Sequence, residues 1–359
     1  MLKLALRRTP RELFCSDLGS LSYALGQYER GLREHLEALR LAPYDSLAYR
    51  FVAFTYLLLN RVEEAEATGK EAHAKGLDSR LAPVLYGIAF YRNDASEMAR
   101  QAASATGKAN DGELLLALEA DTAAYFGHLR KAREFSRQAA DSAGRAGEKE
   151  TAAGYYAVSA LREALFGNVY RAGQQAILAK GRASGRDMDY GLALALAYAG
   201  DAGQAQALAD DLGKRFPEDT VVQFNYLPTL RAKLALLHAN PQEALVILGA
   251  ASPYELGLPA LDYYNWPNLY PVYVRGEAYL AARRGNEAAA EFHKILDHRG
   301  IVLNESIGAL AHLQLGRAYA MQGDTAKSRA AYQDFLTLWK DADPDIPIFK
   351  QARAEYAKL

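Results

Sequence analysis

The sequence predicts an all-α solenoid of about nine helical hairpins closed by a C-terminal capping helix, and three observations lead there. Small residues recur at a fixed step: Gly19, Ala53 and Gly87 lie 34 residues apart, as do Gly31, Ala65 and Ala99. Turn-forming residues punctuate the chain once per unit. The stretch 313–335 reads as two short helices joined at Gly323-Asp324, with Gly316 and Ser328 small enough for close approach and Tyr319 and Tyr332 large enough to fill the gaps. One such hairpin cannot bury its apolar face alone, so the rest of the chain must supply copies.

The first repeat, about 12–45, places Leu18-Gly19 and Tyr23 on one helix, Gly26 at the turn, and Gly31, His35 and Ala38 on the second, which stops before Pro43. The second carries Ala53, Tyr56, Asn60, Ala65 and Ala72, and the third Gly87, Phe90, Asp94 and Ala99. Repeats are regular over 1–112 and diverge over 113–250. Beyond Ala99 the small residue of each second helix falls at Ala132, Ala172, Ala205, Ala244, Ala288 and Ser328, in steps of 33 to 44 residues. Turn signals at Gly127, Gly167-Asn168, Gly200-Asp201, Asn240-Pro241 and Gly285-Asn286 accompany these units.

Two stretches break the pattern. Residues 251–275 contain Pro253, Pro259, Pro267 and Pro271 and cannot form one helix. Residues 297–306 read as an unusually apolar loop. After the C-terminal repeats, 276–344, residues 345–359 read as the cap, with Ile346, Phe349, Ala352 and Tyr356 on one face. The whole chain, 1–359, is expected to be a single solenoid.

Composition narrows the function classes. Lys+Arg total 42 against Asp+Glu 43, so no basic excess attracts a phosphate backbone and no nucleic-acid partner is expected. The lone Cys15 rules out an internal disulfide or thiolate metal cluster. No stretch reaches the roughly 18 apolar residues of a spanning helix, and the start lacks a signal-peptide core. Membrane insertion by this chain is not expected, and cytoplasm is the default compartment.

The 34-residue spacing resembles the tetratricopeptide family, whose fold implies a right-handed superhelix. A narrower likeness is carried by RFPEDT (215–220), PYELG (253–257), LYPVYVRGEAYL (269–280), KILDHRGIVLN (294–304), FLTLWKDADPDIP (335–347) and the terminal KQARAEYAKL. These resemble the C-terminal tetratricopeptide region of bacterial eukaryotic-like serine/threonine protein kinases. The kinase domain itself is absent: there is no Gly-rich phosphate loop, VAIK-like lysine or DFG triplet. His298-Arg299-Gly300 lacks the aspartate of the kinase catalytic loop, and Glu305 stands where that motif needs Asn. The resemblance implies a non-catalytic interaction or sensing role with no cofactor. It also implies a periplasmic or extracytoplasmic location if the array belongs to a membrane-anchored kinase.

Candidate partner-binding residues form two groups. In 251–275, Tyr254, Tyr263, Tyr264, Trp266, Tyr270 and Tyr273 offer rigid amphipathic contact area, or else pin a long connection to the solenoid. On the first-helix faces, which line the family's concave groove, Arg50, Phe54, Tyr91, Tyr273, Glu277 and Arg317 are expected to face a protein or peptide partner. Ser16 and Ser20 occupy positions where a basic carboxylate clamp would need Lys and Asn. His293, His298 and His312 lack zinc spacing, and no metal is expected. Three rival readings are an enzyme with an unfamiliar constellation, a small-molecule or peptide sensor with a pocket lined by Tyr263, Trp266 and Tyr273, and a structural subunit. The last would self-associate through the solenoid ends, with Leu2, Leu4 and Leu6 at the first.

Overall fold

A computed structural model describes residues 10–105, 111–258 and 268–359. Those residues form nine helical hairpins and a terminal helix. The first three hairpins pair α1 (Pro10–Ala24) with α2 (Tyr28–Leu41), α3 (Ser46–Leu58) with α4 (Val62–Ala74), and α5 (Ala82–Tyr91) with α6 (Ala95–Ala105). The next three pair α7 (Asp111–Tyr125) with α8 (Leu129–Arg145), α9 (Lys149–Leu165) with α10 (Val169–Lys180), and α11 (Arg186–Tyr198) with α12 (Ala202–Arg215). A π-helical turn at Val222–Tyr226 leads into α13 (Leu227–Leu237), which pairs with α14 (Pro241–Leu248). Then α15 (Tyr270–Ala281) pairs with α16 (Gly285–Asp297). A single turn, α17 (Arg299–Val302), precedes the pair α18 (Ser306–Gln322) and α19 (Thr325–Leu338), and α20 (Pro347–Tyr356) is the cap.

All nine hairpins turn the same way. A residue just past the first helix, two beyond its end in eight hairpins and one beyond in the last, is left-handed, with φ between 57° and 87°, at Gly26, Asn60, Asn93, Gly127, Gly167, Gly200, Ala239, Arg283 and Gly323. Its N–H bonds the carbonyl three residues back, and the next N–H bonds the carbonyl five back, as in Gly26 to Tyr23 and Gln27 to Ser22. This is the Schellman closure, which satisfies carbonyls the helix end leaves open. Glycine and asparagine adopt the conformation readily. Ala239 and Arg283 do so at a cost; Ala239 directly precedes Asn240, which caps α14, and Arg283 lies two residues before Gly285, which opens α16.

Each turn sets the register of its two helices. Seven residues before it stands Gly19, Ala53, Ala120, Ala160, Ala193, Ala232, Gly276 or Gly316, all buried. Five residues after it stands Gly31, Ala65, Ala132, Ala172, Ala205, Ala244, Ala288 or Ser328, also buried. A Cβ on Gly276 would lie 2.6 Å from the Phe292 ring, and one on Gly316 2.6 Å from Tyr332, so the small residue makes room for the ring opposite. The third hairpin departs from the expected spacing. Its turn, Asn93, comes 33 residues after Asn60, so Tyr86 and Met98 occupy the small positions. Ala99, expected inside, is exposed. The Asp94 carboxylate, accepting from Glu97 N at 3.0 Å, fixes where α6 begins.

The chain forms two compact units. The first holds the described residues within 1–115, 256–264 and 298–303. In it the apolar stretch after α16 is a packed helical turn instead of a loop. Gly300 N donates to Asn60 Oδ1 at 2.8 Å, and a Cβ on Gly300 would lie 1.7 Å from the Leu57 carbonyl oxygen. Ile301, Val302 and Leu303 are buried there, which accounts for their apolar character. His35 is buried in the same unit, stacked on Phe51 at 5.0 Å. Its Nδ1 lies 3.0 Å from Thr55 Oγ1, and burial lowers its pKa to about 4, so the ring is neutral near pH 7.

The second unit holds residues 116–255, 265–297 and 304–359, so far as they are described. Its end folds back on its beginning. Trp339, completely buried, donates from Nε1 to the Tyr125 carbonyl at 2.9 Å and packs edge-on against Phe166 at 5.0 Å. Asp343 N donates to the Gly127 carbonyl at 3.0 Å, and Ile348 N to that of Phe166 at 3.2 Å. The segment before the cap therefore docks on the first turns of its own unit, and the C-terminal face has a neighbour that a simple solenoid end would lack.

Trp339→Ala should destabilise the protein by about 3–5 kcal/mol in denaturant titration, because it removes the ring at the centre of that closure. Ala239→Gly should raise stability by about 1 kcal/mol by relieving the left-handed alanine. A lowered melting temperature for Ala239→Gly would refute that account of the turn.

Candidate partner-binding face

In the first unit, Arg50 and Phe54 lie half-buried on α3, with Phe54 edge-on to Tyr23 at 5.9 Å. Tyr91 ends α5 beneath the Arg299 guanidinium, 4.3 Å from the ring centre, while Arg299 Nη2 donates to the Tyr91 carbonyl at 3.0 Å. A cavity of about 580 Å³ lies between α4, α5 and α6, floored by Gly69, Leu85, Ile88 and Ala89. Its charged walls pair among themselves, Arg92 with Glu66 at 2.9 Å and Arg100 with Glu97 at 2.7 Å.

Residues 251–275 divide between the two units. Tyr263, Tyr264 and Trp266 lie outside the described residues. Tyr254 is half-buried beside the exposed Phe224, ring centres 5.3 Å apart, and its carbonyl accepts from Asn225 Nδ2 at 3.3 Å. Glu255 is held between Arg275 Nη2 at 2.6 Å and Lys294 Nζ at 2.9 Å, which pins this end of the connection to α15 and α16. Tyr270 and Tyr273, expected as contact area, are each only 1% exposed and point into the core. Tyr273 packs edge-on to Phe292 at 5.7 Å, and its hydroxyl accepts from Gln314 Nε2 at 3.0 Å.

The first-helix face of the second unit carries polar side chains in two layers. The outer layer is half-buried. Glu277 on α15 accepts from the Tyr198 hydroxyl of α11 and from Lys233 Nζ of α13, each at 2.9 Å. Lys233 also sits 3.7 Å from the centre of the Tyr198 ring, a cation–π contact. Further along, Arg317 of α18 holds Glu355 of α20 at 2.9 and 3.1 Å, and Glu355 accepts from the Tyr332 hydroxyl at 2.8 Å. Burial pushes the Glu355 carboxyl up, but Arg317 and Tyr332 outweigh it and hold the group below the ordinary range.

The inner layer is buried. Tyr190 and Tyr226 stack with ring centres 3.7 Å apart, and the Tyr226 hydroxyl donates to Asp187 at 2.7 Å. Asp121 of α7 pairs with Arg162 of α9 at 3.1 Å, and Arg162 Nη1 donates to Ser136 Oγ at 2.9 Å. Glu305 precedes α18 and accepts from Ser306 N at 3.1 Å, with the Tyr270 hydroxyl 3.5 Å away. Sequence reading placed Glu277 and Arg317 on this face. It missed their partners Lys233, Tyr198 and Glu355, and the buried Asp121, Arg162 and Glu305. The available signal was a charge inside an apolar first helix, as in SALREALF and ALEADTAA, one or two residues after the small position.

Among the described residues no three His, Cys, Asp or Glu side chains are grouped to hold a metal ion, and no helix is long and apolar enough to cross a membrane. His293 instead contacts the Tyr319 hydroxyl at 2.7 Å.

No protein-family model and no curated protein matches the chain. Among solved structures it is similar to yeast Tom70, with TM-score 0.41 and 12% identity over 99% of this chain and 90% of that one. It is also similar to a monomeric IFIT1 mutant with m7Gppp-AAAA, with TM-score 0.46 and 15% identity over 99% and 82%. The P58(IPK) TPR domain gives TM-score 0.26 and 15% identity over 97% and 96%. At these scores the likeness carries no functional argument, and the helical-repeat fold rests on the turns and helices described above.

Proposed function

We propose that this chain is a non-catalytic binding module of a bacterial signalling system, taking an extended peptide or protein segment along the first-helix face of its second unit. The supporting observation is the outer layer of Tyr198, Lys233, Glu277, Arg317 and Glu355. These groups come from five helices in succession, and their side chains are held by one another before any partner arrives. Donors and acceptors fixed in advance lose little entropy on binding, and a row of them can meet a peptide's amides and charges. The assignment to signalling rests on the resemblance to the tetratricopeptide region of bacterial serine/threonine kinases.

A second reading, self-association through α1, is favoured by the exposure of Leu13, Phe14 and Leu21 on that helix. Leu2, Leu4 and Leu6 lie outside the described residues.

Peptides selected from a displayed random library on the intact chain should bind at least tenfold more weakly to Lys233→Ala and to Arg317→Ala, with both variants matched to wild type by circular dichroism. A library that yields no binder, or peptides indifferent to both substitutions, would sink the peptide reading. For self-association, light scattering should show a dimer that Phe14→Glu converts to monomer, and a monomeric wild-type chain would exclude it.

A further inference from the structure

Asp121, Arg162 and Glu305 are all buried, Asp121 pairs with Arg162 at 3.1 Å, and both charges act on the Glu305 carboxyl. Asp121 takes the cation, leaving Glu305 with only Ser306 N and, at 3.5 Å, the Tyr270 hydroxyl. An uncompensated buried carboxylate is prohibitively costly, so the group is one positive charge short. Asp121 Oδ2, Arg162 Nε and Ser306 Oγ are moreover buried without a hydrogen-bond partner. These atoms have essentially no water-accessible surface, which leaves the proton as the charge that fits.

The cluster lies where α18 enters the second unit. Just before Glu305, Asn304 Nδ2 donates to the Leu118 carbonyl at 2.9 Å and to Thr122 Oγ1 at 3.0 Å, both on α7. Leu303, before that, has φ of 41°, a left-handed backbone for a branched residue. The entry to α18 is therefore held to α7 by the Asn304 bonds and by the neutrality of the carboxyl pair.

We infer that the N-terminal end of α18 is seated on α7 and α9 by a proton-operated latch. Glu305 carries a proton while Asp121 pairs with Arg162, and loss of that proton loosens the seat.

The groups facing the pair are Arg162 of α9, Ser136 of α8, Tyr190 of α11 and Tyr270 of α15. Burial and the neighbouring Asp121 charge raise the Glu305 carboxyl well above the usual range, and burial also raises the Asp121 carboxyl while the Arg162 charge opposes that rise. For a carboxyl whose pKa is higher folded than unfolded, the folded state binds the extra proton. Stability is then greatest at low pH and falls as pH rises above the ordinary carboxylate range toward the raised folded value, by up to about tenfold in the unfolding constant per pH unit for one proton.

The test is hydrogen exchange and denaturant unfolding of the full chain between pH 5.5 and 8.5, with exchange corrected for its intrinsic pH dependence. In the wild type, protection of 304–310 and the folding constant should fall over this range. Glu305→Gln should flatten both, and Asp121→Asn should do the same by leaving Glu305 free to pair with Arg162. Glu218→Gln, an exposed carboxylate, should keep the wild-type slope. A wild-type slope retained in Glu305→Gln, or no slope in the wild type, overturns the proposal. If one of the two cluster variants does not fold, the other decides.

Discussion

The structure depends on one repeated constraint: a left-handed residue closes each helical hairpin and fixes the register of both helices around it. Once that residue is placed, the position seven before and the position five after are small in eight of the nine hairpins, because the two helices approach closely there. His35, Phe292 and Tyr332 occupy the space opposite such a glycine. Where the turn shifts by one residue, as at Asn93, the whole hairpin shifts with it. Tyr86 and Met98 then fall at positions that eight other hairpins give to glycine, alanine or serine. Packing tolerates this exception in one hairpin because neighbouring repeats supply the remaining contacts.

The interior of the second unit is more polar than a repeat of this kind needs for stability alone. Buried ion pairs are a weak source of stability, since desolvation offsets most of the attraction. Asp121, Arg162 and Glu305 therefore sit oddly with a purely structural role, while the outer pairs around Glu277 and Arg317 remain close enough to solvent to exchange partners. The two layers suit different tasks: the outer one presents groups, and the inner one sets how firmly the helices behind them are seated.

The segments that break the repeat hold each unit together. The turn at Gly300 fills the end of α3, and the Trp339 segment closes the second unit on itself. Glu255 clamps the aromatic connection to α15. Each adds contacts that the hairpin repeat does not supply, so irregular sequence marks packing beyond the repeat here.

Local residue spacing was enough to determine the helical hairpins, their number and, outside the third hairpin, the small residues between them, because those features obey interactions within about 40 residues. Glu277 and Arg317 were legible on the same basis, as polar positions on a first-helix face. The sequence left open which aromatics of 251–275 are buried. Tyr270 and Tyr273 read the same whether they meet a partner or a core, and only the packing of α15 on α16 and α18 places them inside. Tertiary structure alone joined Trp339 to Tyr125, and Asn304 to α7. It also gathered Asp121, Arg162 and Glu305 into one buried cluster. Residues so far apart in the chain share no period, and their proximity is set by how successive hairpins stack.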